Sequence, residues 1–390
     1  MASAFADIIR SHLEDDVHAL ALKAHWYEPY NKLDLIQQIQ ARQKAKSKLP
    51  SWYGNFDLLF PPPLSIEQCS SELTAAYKAS LVTGDSLADL TGGTGVDTAA
   101  FARRCQHVLF VEQQENLAAT ARHNFQTLGL NQVTVVTGDV MQLLENLPLT
   151  DCIYVDPVRR KEGHKVFRLE DCSPDLTVLV PRLLPRCHQI LLKLSPLFDL
   201  TLLLRQWPEI CAVHVVSVHH EVKELLVEIR PAEPRTPTRI VCVNLENDRQ
   251  QIVPCGCFGQ PHSNIGYCEK LLHYLYEPHP TLMKSGMMDA YAKRFHLLKL
   301  HPHSHLYTSD VLHADFFGRV FAIDQCFGFS SKELRKSLAS VEQANISVRN
   351  FPLSAEQLRK KLKLRDGGSL TLFATTLRHG EKVLVLGVKV

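Results

Sequence analysis

The apolar residues of this chain follow two periods in turn. Near the N-terminus they recur at helical spacing, as between Leu33 and Lys48, and Pro50 then ends the pattern. From Leu87 onward, short apolar runs of strand length alternate with helical segments, of which Asn116–Leu128 before Gly129 is the clearest. The alternation predicts an α/β core with a parallel sheet, preceded by an all-α module.

Four successive predicted strands each lead into an acidic side chain. The runs and their acids are Leu87-Ala88 with Asp89, Val108–Val111 with Glu112, Val133–Val136 with Asp139, and Cys152–Val155 with Asp156. Parallel strands put their carboxyl ends at one edge of a sheet, and open α/β sheets bind ligands there. We therefore expect these carboxylates at a common site.

Further apolar runs continue the pattern. They predict a strand at Ile190–Leu194 and a closing antiparallel hairpin of Val213–Val218 and Leu225–Ile229. Beyond the prolines at 231–237 we expect a helix at Leu271–Tyr276. The C-terminal predictions are helices at the capping boxes Ser330/Glu333 and Ser354/Gln357 and strands at Ser369–Ala374 and Val383–Val390.

The residues from Asp89 to Gly95, Asp-Leu-Thr-Gly-Gly-Thr-Gly, predict a ligand-binding turn. Glycines let the backbone turn sharply and approach a ligand, and the next helix points its free N–H groups to the same place. Asp89 would repel a pyrophosphate, whereas it favours the positive charge of S-adenosylmethionine (SAM). Thr98 also stands where a dinucleotide site needs a small residue. The pattern therefore favours SAM over NAD.

The next two acids fit the rest of this cofactor. Glu112, after the second strand, is positioned to accept from a ribose hydroxyl pair. Asp139 can accept from the adenine amino group while the following N–H meets a ring nitrogen. The predicted cofactor-binding residues are Asp89, Thr91, Gly93, Gly95, Glu112, Gln113, Asp139 and Val140.

Four places in the chain resemble motifs I to IV of the class I SAM-dependent methyltransferases, in that family's order. They are Asp89–Gly95, Glu112, Asp139 and Asp156-Pro157. Three further stretches resemble the members with a C-terminal THUMP-like domain, namely Ser65–Ser71, Arg349–Leu353 and Leu362–Gly368. The resemblance covers nearly the whole chain. It implies a Rossmann-like core and a C-terminal α+β ferredoxin-like/THUMP-like region. Because THUMP modules bind RNA in tRNA-modifying enzymes, it also implies an RNA methyltransferase.

The resemblance places the chemistry at Asp156 and Pro157. Amino-methylating members have Asp or Asn, then Pro-Pro and an aromatic residue, whereas this chain has Val158 and Arg159 in the last two places. A guanidinium plane or another group would then stack the base. The Asp-Pro-x-Arg form is similar to that of uridine C5 methyltransferases, but these need a cysteine where this chain has Leu194-Ser195-Pro196. We therefore expect methylation of nitrogen, with Asp156, Pro157 and Arg159 as catalytic residues.

Length and composition bear on the number of domains, the cellular location and metal binding. The chain has 390 residues, more than one hydrophobic core usually spans, and lacks an apolar run typical of a membrane helix or signal peptide. Its 11 cysteines are scattered, which favours free thiols and a cytoplasmic location. We expect no bound metal, because one group of potential ligands matches no usual zinc spacing: Cys255, Cys257, His262 and Cys268.

The net charge of +2 conceals an uneven distribution. From Arg319 to Val390, 13 Lys and Arg stand against 6 Asp and Glu, an excess of +7. An isolated basic run is commonly a solvated helix face, but beside a THUMP-like module it favours contact with a phosphate backbone. The basic loop after the fourth strand could also clamp phosphates. The predicted RNA-binding residues are Arg160, Lys165, Arg359, Lys360, Lys361 and Lys363.

The predicted organisation has four parts: a helical module at 1–60, a SAM-dependent methyltransferase core at 61–268, a ferredoxin-like segment at 269–318 and a THUMP-like domain at 319–390. The expected activity is methylation of a base nitrogen in structured RNA, tRNA or rRNA. Two alternatives stay open, a non-catalytic SAM-sensing RNA-binding protein and a small-molecule or protein methyltransferase. The sequence indicates no obligate protein partner.

Overall fold

A computed structural model describes residues 2–159, 168–231, 237–247, 249–259 and 265–390. The chain forms two compact units. The first comprises Met1–Val218, Lys223–Thr236 and Leu245–Arg249, and the second comprises His219–Val222, Pro237–Asn244 and Gln250–Val390. The finer boundaries expected at 60, 268 and 318 stay a prediction.

The elements are numbered in chain order. The helices are α1 (Ala2–Ser11), α2 (Val17–Leu22), α3 (Lys32–Ala45), α4 (Pro50–Tyr53), α5 (Pro63–Gln68), α6 (Glu72–Leu81), α7 (Val96–Ala102), α8 (Glu115–Thr127), α9 (Val140–Leu143), α10 (Leu176–Leu183), α11 (Leu200–Gln206), α12 (Pro280–Ser285), α13 (Met288–Lys293), α14 (Ser331–Ser337) and α15 (Ala355–Leu362). Within the described ranges, no helix has both the length and the apolar character needed to cross a membrane.

The strands are β1 (Ser86–Asp89), β2 (His107–Glu112), β3 (Val133–Thr137), β4 (Thr150–Val155), β5 (Val158–Arg159), β6 (Cys172–Ser173), β7 (Cys187–Leu194), β8 (Ile210–Val218), β9 (Glu221–Ile229), β10 (Arg239–Glu246), β11 (Arg249–Cys257), β12 (Tyr274–Pro278), β13 (Leu298–Lys299), β14 (Tyr307–Ser309), β15 (Gly318–Gly328), β16 (Asn345–Arg349), β17 (Leu370–Thr376) and β18 (Lys382–Lys389).

The sheet of the first unit is parallel where the alternating pattern predicts it. Seven of its strands lie in the order β3-β2-β1-β4-β7-β9-β8. The pairs β2/β3, β1/β2, β1/β4 and β4/β7 are parallel, and β7/β9 is antiparallel. The strand order reverses between β1 and β4, and open α/β sheets bind ligands at the carboxyl ends beside such a point.

The N-terminal helices share a hydrophobic core with this sheet. Trp52 of α4 is buried in the same cluster as Phe110 of β2 and Phe125 of α8. The guanidinium of Arg42, on α3, is fully buried and donates to three carbonyl oxygens of residues 53–58 at 2.7 to 3.1 Å. Because a buried cation needs such acceptors, Arg42 fixes this segment beside the core.

The second unit contains one mixed sheet in the order β13-β14-β12-β15-β18-β17-β16. β12 pairs antiparallel with β14 and β15, and β16 pairs parallel with β17. Ser330 and Ser354 cap α14 and α15 by accepting from the N–H groups of Glu333 and Gln357, at 3.3 and 3.2 Å. The two helix starts predicted from the capping boxes are confirmed.

The expected helix at Leu271–Tyr276 is wrong. Residues Tyr274–Pro278 form β12, a strand with neighbours on both sides, in which Leu275 and Tyr276 are fully buried. A short buried apolar run looks alike in a helix and in a central strand, so the spacing could not separate them. The aromatic residues in the run favour a strand.

Candidate functional site

A cavity of about 370 Å³ lies at the carboxyl edge of the first unit's sheet, beside the switch from β1 to β4. The ends of β1, β2 and β4 and the turn after β3 form its wall. Eight of the predicted site residues line it: Asp89, Thr91, Gly93, Glu112, Gln113, Asp139, Val140 and Asp156. The structure therefore brings the four strand-end acids to one place.

Asp89 fixes the glycine-rich turn to β1 and α7. Its Oδ1 accepts from the N–H of Thr91 at 3.1 Å, and its Oδ2 accepts from the hydroxyl of Thr98 at 2.5 Å. Burial raises the pKa of the Asp89 carboxyl to about 7, although the two hydrogen bonds partly oppose this shift. Thr98, which argues against a dinucleotide site, thus has a structural role here.

We expect Asp89 to make stability depend on pH. The pKa of its carboxyl is near the ordinary value of 3.8 in the unfolded chain and about 7 in the folded protein. The folded state therefore binds an extra proton between these values, and this contribution to stability is lost as the pH rises from about 4 through 7. Asp89→Asn should remove that part of the dependence. Thermal unfolding of wild type and Asp89→Asn from about pH 5 to 8 measures this dependence. If the stability of the two proteins changes with pH in parallel, the raised pKa of Asp89 is wrong.

Glu112 binds the same turn from the neighbouring strand. Its Oε2 accepts from the N–H of Gly93, and its Oε1 accepts from the N–H of Gln114, both at 2.8 Å. A carboxylate offers about four acceptor positions, so both oxygens retain capacity for another donor. This buried, oriented carboxylate fits the ribose hydroxyl pair of SAM.

Asp139 and Val140 line the cavity just after the end of β3. Asp139 caps α9 by accepting from the N–H of Met141 at 2.9 Å, and its side chain is exposed. Val140 is buried beside it. An exposed carboxylate next to a backbone N–H suits the adenine edge.

Gly95, expected as a cofactor contact, is not in the cavity wall. It caps α7 with φ +79°, and a Cβ there would lie 2.8 Å from Cζ of Phe125. Glycine is needed because the backbone is left-handed and α8 packs closely. At Gly93, with φ +56°, a Cβ would meet nothing closer than the carbonyl oxygen of Thr91 at 3.7 Å. Of the two left-handed glycines in the turn, Gly93 is therefore the one that lines the cavity.

We expect Gly95→Ala to lower stability more than Gly129→Ala. Both positions have positive φ, +79° and +70°, which disfavours alanine by about 1–2 kcal/mol. A Cβ at Gly129 meets nothing within 4 Å, so only Gly95→Ala adds a collision with Phe125. Denaturant titration gives the two unfolding free energies. Equal losses would show that Phe125 moves aside without cost.

Asp156 follows β4 and is held on two sides. Its N–H donates to Oγ1 of Thr91 at 2.6 Å, and its Oδ2 accepts from the ammonium of Lys193, on β7, at 2.5 Å. Burial lowers the pKa of Lys193, but the carboxylates of Asp156, Glu224 and Asp97 outweigh burial and hold this pKa above its ordinary value. Lys193 therefore stays charged and fixes the Asp156 carboxylate at the cavity.

A buried charge network lies beside this pair. The ammonium of Lys78, fully buried on α6, is 3.2 Å from Asp97 and 3.0 Å from Glu224. Asp97 lines the cavity and accepts from the hydroxyls of Ser70 and Tyr154, each at 2.8 Å. Burial opposes ionisation of Asp97, but Lys78 and these hydroxyls lower its pKa below the ordinary value. The carboxylates of Asp97, Glu224 and Asp156 thus stand against two ammonium groups, those of Lys78 and Lys193, and this excess of negative charge beside the cavity suits a cationic ligand.

Part of this site is not evident from the sequence. Lys78 and Lys193 belong to no motif, although a lysine inside an apolar run is rarely buried without a partner. The stretch Ser65–Ser71 carries the family resemblance but had no predicted role. Four of its residues line the cavity: Ser65, Gln68, Cys69 and Ser70.

The other predicted residues fall into three groups. Pro157 is not in the cavity wall, and the backbone of Arg159 pairs with β6. Arg160 and Lys165 lie outside the described residues. The remaining RNA-binding residues belong to α15 and its C-terminal cap: Arg359, Lys360, Lys361 and Lys363. No three His, Cys, Asp or Glu side chains gather as metal ligands in the part of the chain that the structure describes.

Three family models match successive parts of the chain. They are conserved hypothetical protein 95 at residues 70–169, a ferredoxin-like domain at 274–316 and the THUMP domain-like family at 318–389. The crystal structure of a methyltransferase candidate from Porphyromonas gingivalis W83 is 36% identical, with a TM-score of 0.88, over 99% of this chain and 97% of that chain. An uncharacterised SAM-dependent methyltransferase of Mycobacterium tuberculosis H37Rv is 23% identical over 354 residues, 89% of this chain and 93% of the relative.

The fold, the acidic cavity at the switch point and these similarities define a class I SAM-dependent methyltransferase. The chain belongs to the family of such enzymes with a C-terminal THUMP-like domain. The predicted α/β fold class, the methyltransferase activity and the cofactor SAM are thereby confirmed.

Proposed function

We propose that the enzyme methylates a nitrogen of a base in structured RNA, tRNA or rRNA. The observation that carries this proposal is the contact of Asp156 with Lys193 at the cavity. One carboxylate oxygen is occupied by a charged lysine, so the other can accept a hydrogen bond from an N–H group of a base. A carbon atom offers no such donor.

The cysteine in the cavity wall supports nitrogen over carbon chemistry. Methylation at uridine C5 needs a nucleophilic thiolate. Burial raises the pKa of the Cys69 thiol, and its Sγ donates to the carbonyl oxygens of Ile66 and Ser70 at 3.2 and 3.3 Å. Cys69 is therefore a bonded thiol and a poor nucleophile.

The residues at the strand ends suit the ribose, the adenine and the methionine part of SAM. We propose that Glu112 accepts from the ribose hydroxyls, that Asp139 and the N–H of Val140 bind the adenine, and that the turn at Gly93 borders the methionine part. When bound, SAM supplies an electrophilic methyl group on a sulfonium. The excess negative charge of the network of Asp97, Glu224 and Asp156 with Lys78 and Lys193 favours cationic SAM over its neutral product.

Asp156 then orients the reacting base. Its carboxylate accepts from the N–H of the base and so points the nitrogen lone pair at the cofactor space, while Lys193 keeps the carboxylate in one orientation. Orientation of this kind supplies much of the rate increase in a two-substrate reaction.

The C-terminal region supports RNA as the substrate. Its THUMP domain-like match coincides with the +7 excess of residues 319–390. Lys360, Lys361 and Lys363 are exposed on α15 and its cap. Arg359 is half-buried and bonded to Asp366 at 2.6 Å, so the three lysines are better placed than Arg359 to contact a phosphate backbone.

Changing Lys360, Lys361 and Lys363 together to glutamine should weaken RNA binding and flatten its salt dependence. Each lost phosphate contact lowers the slope of log K against log salt by roughly 0.7–0.9. SAM affinity should be unchanged, because these lysines are not in the cavity wall. Fluorescence anisotropy with tRNA over a salt series measures both the affinity and the slope.

The matched control changes the exposed lysines Lys332, Lys336 and Lys382 to glutamine, which removes equal charge from the same domain. It should affect RNA binding less. If the plots of log K against log salt superimpose for wild type and the Lys360/Lys361/Lys363 variant, these lysines form only a solvated helix face.

A further inference from the structure

Two arginines of the second unit share one buried carboxylate. Glu277 of β12 accepts from Nε of Arg319 at 2.7 Å and from Nη2 of Arg349 at 2.8 Å. Glu277 and Arg319 are cross-strand partners in β12 and β15, and Arg349 ends β16. Three strands of the sheet therefore fix the two guanidinium groups beside each other.

The charges of this cluster do not balance. The Glu277 side chain is 4% exposed, whereas those of Arg319 and Arg349 are 46% and 41% exposed. Among the described residues, Glu277 is the only carboxylate within 4 Å of either guanidinium. One arginine would neutralise Glu277, so the second leaves an excess positive charge that faces solvent.

The two arginines are also held in orientation. The Cζ atom of Arg319 lies 5.6 Å from the ring centroid of Phe321, and Nη1 of Arg349 donates to the carbonyl oxygen of Val348 at 3.3 Å. Each guanidinium has five N–H donors, of which these contacts use only some. A fixed planar fork loses less entropy than a free lysine when it binds a phosphate through two hydrogen bonds.

We propose that Arg319 and Arg349 form a phosphate clamp for the backbone of the RNA substrate. The proposal rests on the proposed RNA function and adds a second contact surface to the lysines of α15. Glu277 is a positioning residue in this clamp: it orders the guanidinium groups and leaves one positive charge for the phosphodiester.

The test uses the single variants Arg319→Gln and Arg349→Gln in the full-length protein. Each leaves the other arginine to neutralise Glu277, so neither variant creates an unpaired buried charge. The matched control is Arg335→Gln, because Arg335 is an exposed arginine of the same domain that lies on α14, outside the lysine segment of α15. Binding to total tRNA is measured over a salt series, and thermal unfolding confirms that each variant is folded.

We expect each clamp variant to bind tRNA on the order of tenfold more weakly, with a salt slope lower by roughly 0.7–0.9, while Arg335→Gln binds as wild type does. If wild type binds tRNA and both clamp variants bind equally well, the arginines only neutralise Glu277 and the clamp is wrong. If wild type itself binds no RNA, the proposed function fails before the clamp does. If one clamp variant is unfolded, the tRNA affinity of the other variant still tests the clamp.

Discussion

Asp156→Ala should lower the rate of methyl transfer by about a hundredfold or more while SAM affinity stays within a few-fold. The reason is that Asp156 lies at the cavity but is proposed to contact the base rather than the cofactor. Single-turnover methylation of RNA, together with calorimetric SAM binding, separates the two effects.

Two further variants sharpen this result. Lys193→Met should also slow transfer, because the Asp156 carboxylate loses the ammonium 2.5 Å away, and Lys193→Arg should recover part of the rate. Asp151→Asn is the control. Asp151 lies at the opposite end of β4 from Asp156, and its carboxylate accepts from the N–H of Ser86 at 3.0 Å. Asp151→Asn should affect stability and leave the rate per folded molecule unchanged. A wild-type rate in Asp156→Ala would refute the role of this residue.

Glu112→Gln should weaken SAM binding by roughly 10- to 100-fold, the range expected when hydrogen bonds to a charged acceptor are lost. The neutral amide would offer fewer acceptor positions to the ribose and would place its NH₂ group against the N–H of Gly93 or Gln114. Isothermal titration calorimetry with SAM and with S-adenosylhomocysteine measures the loss.

The control for Glu112 is Glu115→Gln, three residues along the chain, where the side chain is exposed at the start of α8 and outside the cavity wall. Glu115→Gln should bind SAM as wild type does. Equal affinities for Glu112→Gln and Glu115→Gln would show that Glu112 holds only the glycine-rich turn.

The carboxyl edge of the sheet could be predicted because local patterns determine it. A strand-length apolar run predicts each strand, and parallel strands must end at the same edge, so Asp89, Glu112, Asp139 and Asp156 had to lie together. The capped helices α14 and α15 were predictable for the same reason, since Ser330 and Ser354 act on residues three positions away.

The missed features depend on contacts between residues far apart in sequence. Lys78 meets Glu224 across 146 positions, and Lys193 meets Asp156 across 37, so no local spacing reveals either pair. Gly95 illustrates another limit. The motif shows that glycine is present, but only the packing of Phe125 shows that it faces α8 instead of the ligand.

Transfer of a labelled methyl group to RNA is the direct test of whether this enzyme methylates a base nitrogen. The protein is incubated with isotopically labelled SAM and RNA from cells that lack this gene, and the digested nucleosides are analysed by mass spectrometry. We expect label on a nitrogen of one nucleoside with the wild-type protein and at least about a hundredfold less with Asp156→Ala. Label on a base carbon, or no labelled nucleoside while SAM still binds, would contradict it.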